Sequence, residues 1–119
     1  MEVVSSIAKV TVVGHIGSAS YKEIVNKETG EITKIINFSV AVNVKKRDEN
    51  GTFVDAVDWY ECSMYNRRGF EVSWLATGKQ VFVEGVLSFE TYTTKTGEKG
   101  FSARVRVNDL VFLGKKEEA

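Results

Sequence analysis

The chain has 119 residues, 43% hydrophobic and 27% charged, with sixteen basic residues balanced by sixteen acidic ones. That mix fits one compact soluble domain; it excludes a disordered chain, and no apolar run approaches the roughly 18 residues of a membrane span. A net charge of zero gives no global pull toward nucleic acid, so any such binding must come from where the charges sit. One cysteine, Cys62, rules out an internal disulfide and suits a reducing compartment. One histidine and one cysteine fall short of the four ligands of an ordinary structural zinc site, so neither metal nor cofactor is expected. The opening Met1-Glu2-Val3-Val4-Ser5-Ser6 lacks the basic start and apolar stretch of a secretory signal, so the expected location is the cytoplasm, away from membranes.

In chain order, Ile7, Val10, Val12 and Val13 predict a first strand that ends at Gly14-His15-Ile16-Gly17, where two glycines three apart predict a bulge or sharp bend. Residues 36–44 alternate large apolar with small or polar side chains and predict a second strand half-buried on one face. A third strand is predicted over 56–65. A helix over 67–77 comes next, capped by Asn66, with Phe70 and Trp74 at i,i+4 as core and Gly78 as the stop. Strands four and five are predicted over 80–93 and 101–113. Thr29-Gly30, Asn50-Gly51 and residues 95–100 carry the turn chemistry between strands. Residues 1–114 thus form one domain, followed by a short charged end at 115–119. Five long strands with one short helix between strands three and four predict an all-β OB-fold barrel, since closure removes the edges that invite aggregation.

Alternation also sorts the faces. Tyr60, Cys62 and Met64 share one parity; Trp59, Glu61, Ser63 and Tyr65 share the other. In the fourth strand Val81, Val83, Leu87 and Phe89 form an apolar row, with Tyr92 on the opposite row beside Glu84, Ser88 and Glu90. In the fifth, Phe101, Ala103, Val105 and Val107 oppose Ser102, Arg104 and Arg106. Trp59, Tyr65 and Tyr92 therefore lie on otherwise polar faces. Exposed rings hold single-stranded nucleic acid by stacking unpaired bases, at about 1–3 kcal/mol per stack, while cations neutralise phosphates. The candidate cations are Lys45, Lys46, Arg47, Arg67, Arg68, Arg104 and Arg106. Each feature has a plain structural reading as well: a ring on a polar face also packs a neighbouring strand or subunit, and a basic run also ends a strand in solvent. Phe53, after Asn50-Gly51, reads either way. The combination of rings, local cations and barrel pattern favours binding.

Several ordered segments resemble one family. Residues 9–17 resemble its opening strand and 38–43 its second. Trp59-Tyr60-Glu61-Cys62 and Tyr65-Asn66-Arg67-Arg68-Gly69 resemble its third strand and the start of its helix. Residues 78–87, then Tyr92 and Thr96-Gly97-Glu98, resemble its fourth strand and loop, and Val111-Phe112-Leu113-Gly114 the end of its barrel. The family is the bacterial single-stranded DNA-binding protein. The resemblance implies a homotetramer of OB-fold barrels that binds and protects single-stranded DNA during replication, recombination and repair. Trp59, Tyr65 and Tyr92 match three of its stacking positions. A fourth, near the end of the second strand, falls near Lys46, which cannot stack as an aromatic does. The family's basic contacts map to Lys9 and Arg67, and Tyr60 falls where it places a subunit-interface residue. Members usually continue into a flexible segment with an acidic tip that recruits partners. This chain stops at Lys116-Glu117-Glu118-Ala119, so tail-dependent partners are not expected.

Two other functions compete with this one. An accessory protein on the same barrel, like primosomal replication protein N, would serve mainly as a docking surface; the three retained rings argue against it. An enzyme is not expected: no Cys-His dyad, metalloprotease motif or phosphate loop appears, His15 reads as structural or incidental, and Asp55 and Asp58 read as solvated carboxylates.

Overall fold

In the computed structural model, which describes residues 6–66 and 70–114, five strands close into a barrel. They are β1 (Lys9–Val25), β2 (Ile32–Arg47), β3 (Phe53–Tyr65), β4 (Gln80–Thr93) and β5 (Lys99–Phe112). The order around the barrel is β1-β2-β3-β5-β4. Every pairing is antiparallel except the last to close the ring, where β3 and β5 run parallel through Glu61–Arg104, Cys62–Val105 and Ser63–Arg106.

Alternation does what the sequence implies. The inward positions of β2, Ile36, Phe38 and Val40, are buried with Val12, Ile16, Cys62, Met64, Val81, Val83, Val105 and Val107 in one core. The predicted bulge is present: the β1–β2 register shifts between Ile16 and Ala19. The Ser39 hydroxyl accepts a hydrogen bond from the Ser18 backbone N–H there at 3.0 Å, which gives the unpaired donor of the bulge a partner.

β1 and β2 run longer than expected and continue as a hairpin arm beyond the barrel, to Val25–Ile32. β2 and β3 form a second arm out to Arg47–Phe53, and β4 and β5 a third out to Thr93–Lys99. The apolar rows of β4 and β5 therefore leave the core before they end: Leu87 and Ala103 are half-buried, but Phe89 and Phe101 lie on the third arm, 67% and 73% exposed.

The predicted helix over 67–77 does not form. Residues 67–69 lie outside the described residues; among those described, Glu71 is extended and only one turn of 3-10 helix, Val72–Trp74, is present. Asn66 does not cap it; its N–H bonds the Lys34 carbonyl at 2.8 Å and prolongs the β2–β3 ladder. An eleven-residue segment holding a glycine and two β-branched residues, Val72 and Thr77, is too short and too weak a helix former to hold without tertiary support. The barrel instead takes its apolar side chains singly. Leu75 is buried, and Phe70 and Trp74 stay partly exposed, joined to each other at 5.4 Å and to Phe112 at 6.2 and 6.5 Å between ring centroids.

Burial, and then the neighbouring Glu61 charge, pushes the Cys62 thiol from its ordinary 9.0 up to about 12. Between those values the unfolded chain loses this proton and the folded chain keeps it, so stability falls as pH rises from 9.0 toward 12, by up to about 1.4 kcal/mol per pH unit. Denaturant melts across that range should show a shallower alkaline loss for Cys62→Val than for the unaltered chain. Equal slopes would place the thiol in contact with water.

Candidate nucleic-acid interface

The outward row of β3 reads Phe53, Asp55, Val57, Trp59, Glu61, Ser63, Tyr65. Its β2 partners point the same way: Arg47, Lys45, Asn43, Ala41, Ser39, Asn37 and Ile35. Trp59, Tyr65 and Tyr92 are 56%, 64% and 52% exposed, so all three predicted rings are open to solvent outside the barrel.

Two of them lie over glycines. The Trp59 indole crosses β2 to lie over Gly17, inside the β1 bulge, where a Cβ would come within 2.8 Å of Cη2 and also of Ser39 Oγ. The Tyr92 ring lies over Gly100, its cross-strand partner, where a Cβ would come within 2.7 Å of Cε2. Only glycine lets a ring approach the backbone so closely. Each ring thus has one side against the sheet and the other toward water. Such seating limits the rotamer freedom a ring would otherwise lose on binding. The bulge glycine was legible in the sequence as a bend; its use as a seat for Trp59 was not, because the contact spans two strands.

Beside Tyr65 lies an open groove of about 410 Å³, lined among others by Asn37, Ser63, Glu90, Arg104 and Arg106. The parallel β3–β5 register puts both arginines next to β3, Arg104 against Glu61 and Arg106 against Ser63. Lys9 joins the same surface: it pairs with Val86, which pairs in turn with Arg106. Arg67 and Arg68 fall outside the described residues.

The cations are not idle. Lys45 pairs with Asp55, Lys46 Nζ sits 2.9 Å from Asp58 Oδ1, and Arg104 Nε lies 3.3 Å from Glu90 Oε2 without a hydrogen bond. Arg47 stands over the Phe53 ring at 5.0 Å from its centroid. The Lys and Arg side chains of these ion pairs are at least one-third exposed, and exposed pairs are worth roughly 0–1 kcal/mol. Lys45 and Arg104 stand on the outward face, whereas Lys46 and Asp58 lie on the opposite row of the β2–β3 arm, with Val54 and Val42 as their cross-strand partners; the chain as a whole carries no net charge.

Tyr60 faces the other way, half-buried against the core. His15 points outward on β1, exposed, and among the described residues no cluster of acidic, histidine and cysteine side chains could hold a metal ion.

With this geometry, the comparison with known proteins is specific. The model of the single-strand binding protein family matches residues 7–113. The chain belongs to that family. A single-stranded DNA-binding protein of Onion yellows phytoplasma (strain OY-M) is 30% identical over 111 residues, covering 92% of this chain and 97% of that protein. One from Xanthomonas axonopodis pv. citri (strain 306) is 28% identical over 114 residues, covering 94% of this chain but 61% of that protein, so the chain spans less than two-thirds of the longer relative. Among solved structures, the Plasmodium falciparum SSB in complex with ssDNA superposes with a TM-score of 0.66 at 23% identity, covering 96% of this chain and all of that one. The small single-stranded DNA-binding protein of Streptomyces coelicolor gives 0.64 at 17% identity, covering 90% and 94%. Both share the OB-fold barrel.

The ion pairs make one expectation concrete. In Asp58→Asn, Lys46 no longer has a carboxylate to leave, so oligo(dT) should bind severalfold more tightly at low salt and the log–log salt slope should steepen by about 0.7. Salt titrations of both proteins check this; an unchanged slope would mean that Lys46 meets no phosphate.

Proposed function

We propose that this member of the family binds and protects single-stranded DNA without sequence preference during replication, recombination and repair. The reading is carried by one observation: three rings stand open to solvent on the outer face of the barrel and its arms, two of them seated on glycine. Stacking on a ring accepts any base, because every base has a flat face. Phosphates are met by Lys9, Lys45, Lys46, Arg47, Arg104 and Arg106, with Arg67, two residues after Tyr65 in the sequence, as a further cation. Binding is the whole of the activity; no catalytic step is assigned. The site of action is the cytoplasm, alongside DNA. No helix among the described residues is long and apolar enough to cross a membrane.

The same proposal includes a homotetramer. Its support is an outward apolar row, Val13–Phe82–Val111, that crosses β1, β4 and β5 in register, with Val13 and Val111 both exposed. Apolar side chains in register on an outer barrel face suit a second copy of the chain. Tyr60 is proposed at a subunit interface as well.

Three measurements test these statements. Trp59→Ala should lose about 1–3 kcal/mol of affinity for oligo(dT) and far less for duplex of equal length. In the unaltered chain oligo(dT) should quench tryptophan emission. Equal losses on both nucleic acids would remove stacking from the mechanism. Light scattering at micromolar concentration should return four times the chain mass, and a monomer would refute the assembly.

A further inference from the structure

We propose that Phe53 and Arg47, at the tip of the β2–β3 arm, form an additional base-stacking subsite for single-stranded DNA, one that extends the strand's path beyond Trp59. The inference rests on the single-strand-binding reading above. It starts from parity: Phe53 stands on the same outward row of β3 as Trp59 and Tyr65. Phe53 and Trp59 are six positions apart, as are Trp59 and Tyr65, so at about 3.3 Å per residue the three rings sit at equal intervals of roughly 20 Å along one strand.

The ring is 62% exposed. The Arg47 guanidinium, its cross-strand partner, covers one side of it at 5.0 Å from the centroid. The other side is left for a base, and the guanidinium beside the ring stands where the phosphate of that nucleotide would need a cation. Nothing in the core needs this phenyl group. It lies on an arm, past the last buried residue of β3, where a polar side chain would serve the fold equally well.

The ground between the two rings is also suited to a strand. The outward positions there are Asp55 and Val57, and with Asn43 and Ala56 they line a hollow of about 360 Å³. Val57 gives apolar contact to a sugar or base, and Lys45, tied to Asp55, supplies a cation at its edge. A strand that leaves Trp59 along β3 therefore meets a hollow, a cation and a further ring in turn.

The test is a titration with oligo(dT) of graded length, run on the unaltered chain, Phe53→Ala, Phe53→Tyr and Trp59→Ala. Phe53→Ala should weaken binding of long oligonucleotides roughly tenfold and shorten the stretch covered per protomer. It should leave binding of the shortest oligonucleotides and the thermal midpoint unchanged. Phe53→Tyr should restore both affinity and length. A tryptophan placed there, Phe53→Trp in a Trp59→Phe background, should be quenched as long oligo(dT) binds. Unchanged affinity and length in Phe53→Ala, alongside a clear loss in Trp59→Ala, overturns this subsite alone. No oligo(dT) binding by the unaltered chain overturns the subsite together with the reading on which it rests.

Discussion

The short parallel pairing of β3 with β5 is the contact on which the rest depends. Only three residue pairs make it, yet it closes the barrel. Without it β3 and β5 would be open edges with unpaired backbone groups, and Cys62 and Val105, paired across the seam and buried, would face water. The same pairing sets Arg104 and Arg106 beside the outward row of β3 that carries Trp59 and Tyr65. Because the two strands run parallel, the β2–β3 and β4–β5 arms leave the barrel at the same end. Closure and the binding surface are one event in the fold: the register that seals the core also mixes cations with rings outside it.

Much of this was legible in the sequence because a strand's side chains alternate and the core takes every second one. Ile36, Phe38 and Val40 declare the inside of β2 with no further information, and Trp59 and Tyr65 then fall outside, on the parity opposite to the inward Cys62 and Met64. Parity has no knowledge of where a barrel stops. Phe89 and Phe101 continue their apolar rows faithfully and still end in solvent, because the arm on which they stand has outrun the core. The helix over 67–77 failed for a related reason. Phe70 and Trp74 do meet, as their spacing implied, but one 3-10 turn and the Phe112 ring bring them together without a regular helix. Contacts that join distant strands, such as Trp59 on Gly17, leave no mark in a local pattern.

The charge arrangement explains how a chain with no net charge can serve as a surface for a polyanion. Lys45, Lys46 and Arg104 are each held by a carboxylate, Asp55, Asp58 and Glu90. In the proposed mode of binding an arriving phosphate does not meet a bare cation; it replaces one anion by another. The gain per contact is smaller than for an unpaired lysine, and the displaced carboxylate is left to solvent or to a counterion. Such exchange keeps the free surface near neutrality, which limits its pull on duplex DNA and other polyanions.

It follows that discrimination has to come from the rings. A duplex offers phosphates in abundance but keeps its base faces stacked on one another, so under the proposed stacking role only an unpaired strand can use Trp59, Tyr65 and Tyr92. Stacking is also little screened by salt, whereas phosphate contacts weaken as salt rises. Rings seated on Gly17 and Gly100 are placed before the strand arrives, so less of their stacking energy is lost to ordering. With cations already neutralised and rings already seated, the proposed preference for single strands is built into the free surface rather than created on binding.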